Sequence, residues 1–96
     1  MRSYAVTWTG KTGRVHAGKL EIGDEALTLE GGSARQTIPY GDLAELHVGR
    51  TPDERLQGRT ALVLTRRRGE TLHVTSLNGV GEIVEIAELI APRAGL

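Results

Sequence analysis

The chain has 96 residues, and 12 Lys plus Arg balance 12 Asp plus Glu, so its formal charge at pH 7 is zero. A neutral molecule has no long-range pull toward nucleic acid or an anionic membrane, and any such preference has to come from local clustering. With no cysteine, disulfides, thiolate catalysis and thiolate metal sites are excluded; with no Phe, one Trp and two Tyr, the core falls to Leu, Ile, Val and Ala.

The length suits one domain over residues 1–96, which buries roughly 60–65% of its extended-chain surface. Residues Tyr4, Val6 and Trp8 alternate with Ala5, Thr7 and Thr9, the period-2 pattern of a half-buried strand over about 3–9. Gly10-Lys11-Thr12-Gly13 makes a tight turn, and a second strand over about 14–22 ends at the turn Gly23-Asp24-Glu25. Leu27 and Leu29 flank Thr28 in a third strand over about 26–30, stopped by Gly31-Gly32. A fourth, about 35–40, carries Ile38, and Pro39 places it at a sheet edge or at its own end. Gly41-Asp42 breaks the chain before a fifth strand over about 44–49.

The stretch Arg50 to Arg59 is polar, holds Pro52 and Gly58, and reads as the longest loop, with a helical turn at Arg55-Leu56. Two β-rich runs, about 60–66 and 70–76, enclose Arg66-Arg67-Arg68-Gly69-Glu70 and form a hairpin. A closing helix spans about 79–91: Asn78 caps it, Glu82 sits in the first turn and Pro92 stops it. At about 100° per residue, Val80, Ile83, Val84, Ala87, Ile90 and Ala91 share its apolar face, with Leu89 projecting to solvent among the glutamates. The expected fold is mainly β: about seven antiparallel strands capped by one C-terminal α-helix. No stretch is apolar and long enough for a signal peptide or a membrane span, so the expected location is cytoplasmic.

This order, with Trp8-Thr9-Gly10-Lys11, Gly18-Lys19-Leu20-Glu21-Ile22 and Ile38-Pro39-Tyr40-Gly41-Asp42-Leu43, resembles a pleckstrin-homology-like domain, nearest to the bacterial and GRAM-type members. The chain departs from the family in its only Trp, which lies in the first strand rather than the C-terminal helix. The resemblance implies a bent barrel of two nearly orthogonal sheets with the helix closing one end. It also implies that Lys11, Arg14, Arg35, Arg66, Arg67 and Arg68 converge on loops at the open end. Lys11 and Arg14 match the first two cations of the family's phosphoinositide motif, and His16 stands where the third belongs. Guanidinium and ammonium groups suit phosphate through charge and multiple donors.

Other constellations carry less. Gly10-Lys11-Thr12 resembles the tail of a P-loop, but Ala5 stands where another Gly belongs and a strand follows instead of a helix. Gly79-Val80-Gly81 opens a helix, yet Val84 occupies the third glycine position of a dinucleotide fingerprint. His16, His47 and His73 lie on separate strands without metal-ligand spacing, so no metal and no cofactor are expected. Trp8 is in register with Tyr4 and Val6 and belongs to the core, and no basic face interleaved with aromatics points to nucleic acid.

The functional expectation is a non-enzymatic binding or assembly module. Its first form is protein–protein or homo-oligomeric association through a strand edge or the groove between the fifth strand and the helix, using Glu45, His47, Gly49 and Leu89. The resemblance implies self-association as well, since bacterial members do so. Its second form is an anionic lipid headgroup or other phosphate-bearing ligand on the basic rim.

Overall fold

A computed structural model describes residues 2–10 and 12–96. In chain order the elements are β1 (Arg2–Thr9), β2 (Val15–Ile22), β3 (Ala26–Gly31), β4 (Ala34–Pro39), a single 3₁₀ turn (Tyr40–Asp42), β5 (Leu43–Gly49), β6 (Ala61–Arg66), β7 (Thr71–Ser76) and α1 (Val80–Ala94). Every strand pairing is antiparallel, and the spatial order is β4-β3-β2-β1-β7-β6-β5. The result is a mainly β, curled half-barrel of seven strands with one C-terminal helix, which fits a pleckstrin-homology-like fold.

Alternation along each strand produces the inner wall. Tyr4 pairs with Leu20 and Leu20 with Leu29, so inward rows meet across β1, β2 and β3. Leu62 pairs with Val74 and Leu64 with Leu72 on the β6–β7 side. These residues, with Val6, Trp8, Ile38 and Leu43, form the buried core. Each fully buried Leu, Ile or Val is worth about 1.5–3 kcal/mol relative to exposure, which is how a chain with so few aromatics closes a core.

The largest core side chain is anchored by a hydrogen bond across two strands. The Trp8 indole Nε1 donates to the Glu30 carbonyl at 3.1 Å. To reach β3 from β1 the ring passes over β2, where His16 stacks on it with centroids 4.5 Å apart. Gly18, paired with Gly31 of β3, lets the β2 and β3 backbones approach closely: a Cβ on Gly18 would stand 1.9 Å from the same Glu30 oxygen.

The helix differs from the sequence expectation at both ends and around its axis. It runs through Pro92 to Ala94, and Gly95, at φ 73°, closes it by donating to Pro92 O while Leu96 N donates to Ala91 O. That is a Schellman arrangement, and it ends the helix where Pro92, one turn earlier, costs only one backbone donor near solvent. Asn78 is not the cap: Gly79 holds that position, and the Asn78 amide instead donates to Glu82 Oε2 at 3.2 Å. The buried residues are Ile83, Ile86 and Ile90, with Ala87, Leu89 and Ala94 packed beside them. Val80 is exposed, so the core-facing stripe is rotated from the expected one, and Leu89 is half-buried rather than projecting into solvent.

The loop between β5 and β6 is more structured than expected. Glu54 N and Arg55 N both donate to Thr51 O, placing the turn earlier than Arg55-Leu56, and Leu56 and Arg59 exchange two backbone hydrogen bonds. Gln57 (φ 54°) and Gly58 (φ 77°) occupy the left-handed region that such a two-residue turn demands. Leu56 is buried, as are Ala61 and Val63 of β6, and Thr75 Oγ1 donates to Thr60 O at 2.9 Å. No helix among the described residues is long and apolar enough to cross a membrane.

Candidate functional site

The curl of the sheet leaves two terminal strands, β4 and β5, without pairing between them. A polar clasp spans the seam. Arg66, from the end of β6, donates through Nε to Asp42 Oδ2 at 2.7 Å and through Nη1 to Gln36 Oε1 of β4 at 3.5 Å. Arg67 adds its backbone N to Asp42 O at 2.7 Å and its Nε to Gly41 O at 3.0 Å. Tyr40 Oη donates to Gly23 O at 2.7 Å and fastens the 3₁₀ turn to the β2–β3 turn.

This clasp divides the expected basic rim. Arg66 is mostly buried and neutralised by Asp42, and Arg67 is held to a carbonyl. Arg35 pairs with Glu30 at 3.3 Å in a ladder that continues to Lys19, whose pKa is raised above the usual lysine value by hydrogen bonding to Glu21. Among the described residues, the side chains of Arg14 and Arg68 are exposed without an ion pair or hydrogen bond. Lys11 lies outside the described residues. What the fold does bring together is a shallow cavity of about 240 Å³ between Trp8, Gly10, Thr12, His16, Ala34, Arg35 and Gln36. A second concavity adjoins it and shares Thr12 and His16, with Arg14 on its wall. Of the residues that join these features, His16 stands at the position of the motif's third cation, whereas Gln36 carries no distinguishing signal in sequence. Asp42 takes its meaning only from Arg66, 24 positions away.

At the other face of the seam, β5 presents an open edge. Its regular pairing with β6 covers Glu45 to Gly49, after a register shift between Leu43 and Glu45. Among the described residues no further hydrogen bond reaches the backbone of residues 44–49 from the outer side. Side chains alternate: Glu45 and His47 are exposed on the outer face, whereas Leu46 and Val48 are half-buried and packed on the core. Helix α1 lies against β5, β6 and β7, and its half-buried Ala87 and Leu89 pack on the core.

Outer-face chemistry at β5 is set by one close pair. His47 Nε2 stands 2.6 Å from Glu54 Oε2, and Thr51 Oγ1 donates to Glu54 Oε1 at 2.9 Å. The hydrogen bond to His47 is the main cause of a Glu54 pKa below the usual carboxylate range, with that from Thr51 next. Glu54 also lies on Gly49, where a Cβ would stand 2.4 Å from the Glu54 Cβ, so glycine there lets the loop close on the strand. Of the expected partner-binding residues, Glu45, His47 and Gly49 therefore share one face, while Leu89 belongs to the helix and the core.

A third cavity, about 290 Å³, lies between Arg59, Thr60, Thr75, Ser76, Gly79 and Val80. The Thr75 and Ser76 hydroxyls already have partners: Thr75 Oγ1 donates to Thr60 O, and Ser76 Oγ donates to Glu82 Oε1 at 2.7 Å while accepting from Asn78 N at 2.9 Å. Among the described residues no group of three or more His, Cys, Asp or Glu is placed to hold a metal ion.

No family model matches the chain, and no curated protein sequence matches it. Among solved structures, the chain is similar to the C-terminal domain of an unknown protein from Leishmania infantum, with a TM-score of 0.78 at 12% identity, over 100% of this chain and 84% of that one. At that identity the likeness is one of fold, and it agrees with seven antiparallel strands followed by one helix.

Proposed function

We propose that the chain is a non-enzymatic association module whose docking element is the free edge of β5. The observation that supports this is the contrast between the two ends of the sheet. β4 carries Pro39, which donates nothing to a neighbouring strand, and Arg35, whose charge opposes edge pairing. β5 has no Pro, Lys or Arg from Leu43 to Gly49, and its outer backbone groups have no partner among the described residues. An extended segment added there satisfies those groups and lays alternate side chains beside Leu46 and Val48.

Extended peptides selected from a displayed random library provide the test, mapped by amide chemical shifts. Binders are expected to perturb residues 44–49 and the neighbouring face of α1. Binders that perturb only other strands, or a library that yields none, refute the reading.

A second reading has its own support. The cavity bearing Arg35 and the concavity bearing Arg14 adjoin through Thr12 and His16, so a phosphate-bearing group there would meet two guanidinium groups and an imidazole. Titration with inorganic phosphate and co-sedimentation with vesicles containing an anionic lipid separate a free anion from a headgroup. Binding has to fall steeply with salt and with Arg14→Ala or Arg35→Ala, and a null result with both probes eliminates it.

A further inference from the structure

An edge that accepts a strand accepts some sequences better than others, and the side chains of β5 state a preference. Glu45 and His47 share the outer face, with Leu46 between them on the core side. His47 uses Nε2 toward Glu54, and its Nδ1 has no hydrogen-bond partner among the described residues. The molecule is neutral, so two copies approach without net repulsion.

Resting on the β5-edge reading above, we infer that the segment added to β5 is β5 of a second copy, running antiparallel about a twofold axis at Leu46. This register places Glu45 opposite the partner's His47, and by symmetry His47 opposite the partner's Glu45. Leu46 meets its own counterpart on the core side. Such an isologous contact repeats each favourable pair twice. In its cationic form the His47 ring donates through both nitrogens, Nε2 to Glu54 and Nδ1 to the partner's Glu45, whereas like charges directly opposite are unfavourable.

The alternative registers fail on side chains already described. An axis at Glu45 sets two carboxylates face to face. An axis at His47 sets Glu45 against the partner's Gly49, the position covered by the partner's Glu54, and again brings two carboxylates together. An axis between residues puts Glu45 and Leu46 on one face, which exposes the apolar row of one copy to the polar row of the other. The register shift next to Leu43 confines regular pairing to the Glu45–Gly49 stretch, so the contact is short and its population depends on protein concentration.

Sedimentation of the full chain over a wide concentration range is expected to show a reversible monomer–dimer equilibrium. Glu45→Lys removes both symmetry-related charge pairs and weakens the dimer roughly twofold to thirtyfold. The chain has no cysteine, so single-cysteine variants read the register directly. Mild oxidation of mixed Glu45→Cys and His47→Cys proteins is expected to give the mixed disulfide dimer in excess over either homodimer. A strict monomer at every concentration overturns the inference, and so does His47→Cys crosslinking with itself as readily as with Glu45→Cys. Both positions are exposed, and circular dichroism verifies that the variants fold. If the chain is monomeric while selected peptides still perturb residues 44–49, only self-pairing fails. If those peptides map elsewhere, the β5-edge reading fails too.

Discussion

Replacing Gly18 with Ala tests the close approach of β2 to the Glu30 carbonyl that accepts from the Trp8 indole. On general grounds the exchange should stabilise a strand: it removes unfolded-chain entropy, typically worth about 0.4–1 kcal/mol. The local geometry reverses the sign. A Cβ on Gly18 would lie 1.9 Å from Glu30 O, 2.7 Å from Glu30 C and 2.8 Å from Gly31 Cα, all backbone atoms that cannot swing aside. Relief requires β2 and β3 to separate at a paired position, and the oxygen that has to move is the acceptor for Trp8 Nε1 at 3.1 Å. Overpacking of this kind costs about 1–3 kcal/mol, and the strained or lost hydrogen bond adds about 0.5–1.5 kcal/mol. Less the entropic gain, Gly18→Ala destabilises by about 1–4 kcal/mol, which for a domain of this size lowers Tm by about 4–30 °C. Urea unfolding followed by fluorescence reads both parts, because Trp8 is the only tryptophan. A variant as stable as the parent with an unchanged emission maximum refutes the close approach at Gly18.

The polar clasp predicts an asymmetry between its partners: Asp42→Ala leaves the largely buried Arg66 guanidinium without its carboxylate and costs about 2–3 kcal/mol in urea unfolding, more than Arg66→Met, which removes the charge itself. Ser76→Ala deprives Glu82 and Asn78 N of a buried partner and is expected to cost about 1–3 kcal/mol, with amide exchange rising first at the start of α1. Burial raises the Tyr4 and Tyr40 pKa values above the ordinary tyrosine value. Their neutral forms therefore contribute stability that is complete below pH of about 10 and is lost as pH rises through the folded values. Tyrosinate absorbance should consequently appear later in native protein than in urea, and coincident titrations contradict the burial. Glu54 is shifted the other way, by the His47 hydrogen bond, so its contribution is present above the unfolded carboxylate pKa and fades as pH falls through the lower folded one. Glu54→Gln is expected to flatten that acidic segment of the Tm–pH profile.

Strand placement was legible because alternation is a local property. Tyr4, Val6 and Trp8, or Leu72 and Val74, declare an inner row without reference to any other strand, and each is buried as the pattern requires. The helix was legible in existence and not in detail. Pro92 reads as a stop, but a proline in the last turn forfeits one bond near solvent, and the actual terminator is Gly95 in its left-handed conformation. The buried stripe through Ile86 depends on which neighbours the helix meets, namely β5, β6, β7 and the 3₁₀ turn, and no helical wheel contains them. Likewise the loop after β5 looks polar and open, yet Leu56 is sheltered from solvent, as are Ala61 and Val63 of β6. That shelter exists only once the loop has folded back over the strand.

The same distinction explains the rim of cations. A sequence shows how many arginines lie on loops and not which acceptors those loops will meet. Here the seam between β4 and β5 leaves backbone and side-chain acceptors at Gln36, Gly41 and Asp42, and the nearest donors are Arg66 and Arg67 at the β6 hairpin. Arg66 enters a largely buried ion pair with Asp42 and Arg67 donates to the Gly41 carbonyl, so both side chains are engaged in closing the half-barrel. With the lower seam held in this way, β4 is tied to β6 by way of Arg66, whereas the stretch of β5 from Glu45 to Gly49 keeps its outer backbone groups unpaired. Closure chemistry thus subtracts from the basic face and leaves the outer edges of both terminal strands without backbone partners among the described residues, β4 carrying Pro39 and Arg35 and β5 carrying no Pro, Lys or Arg. That balance is the support for proposing a strand-adding partner ahead of an anion.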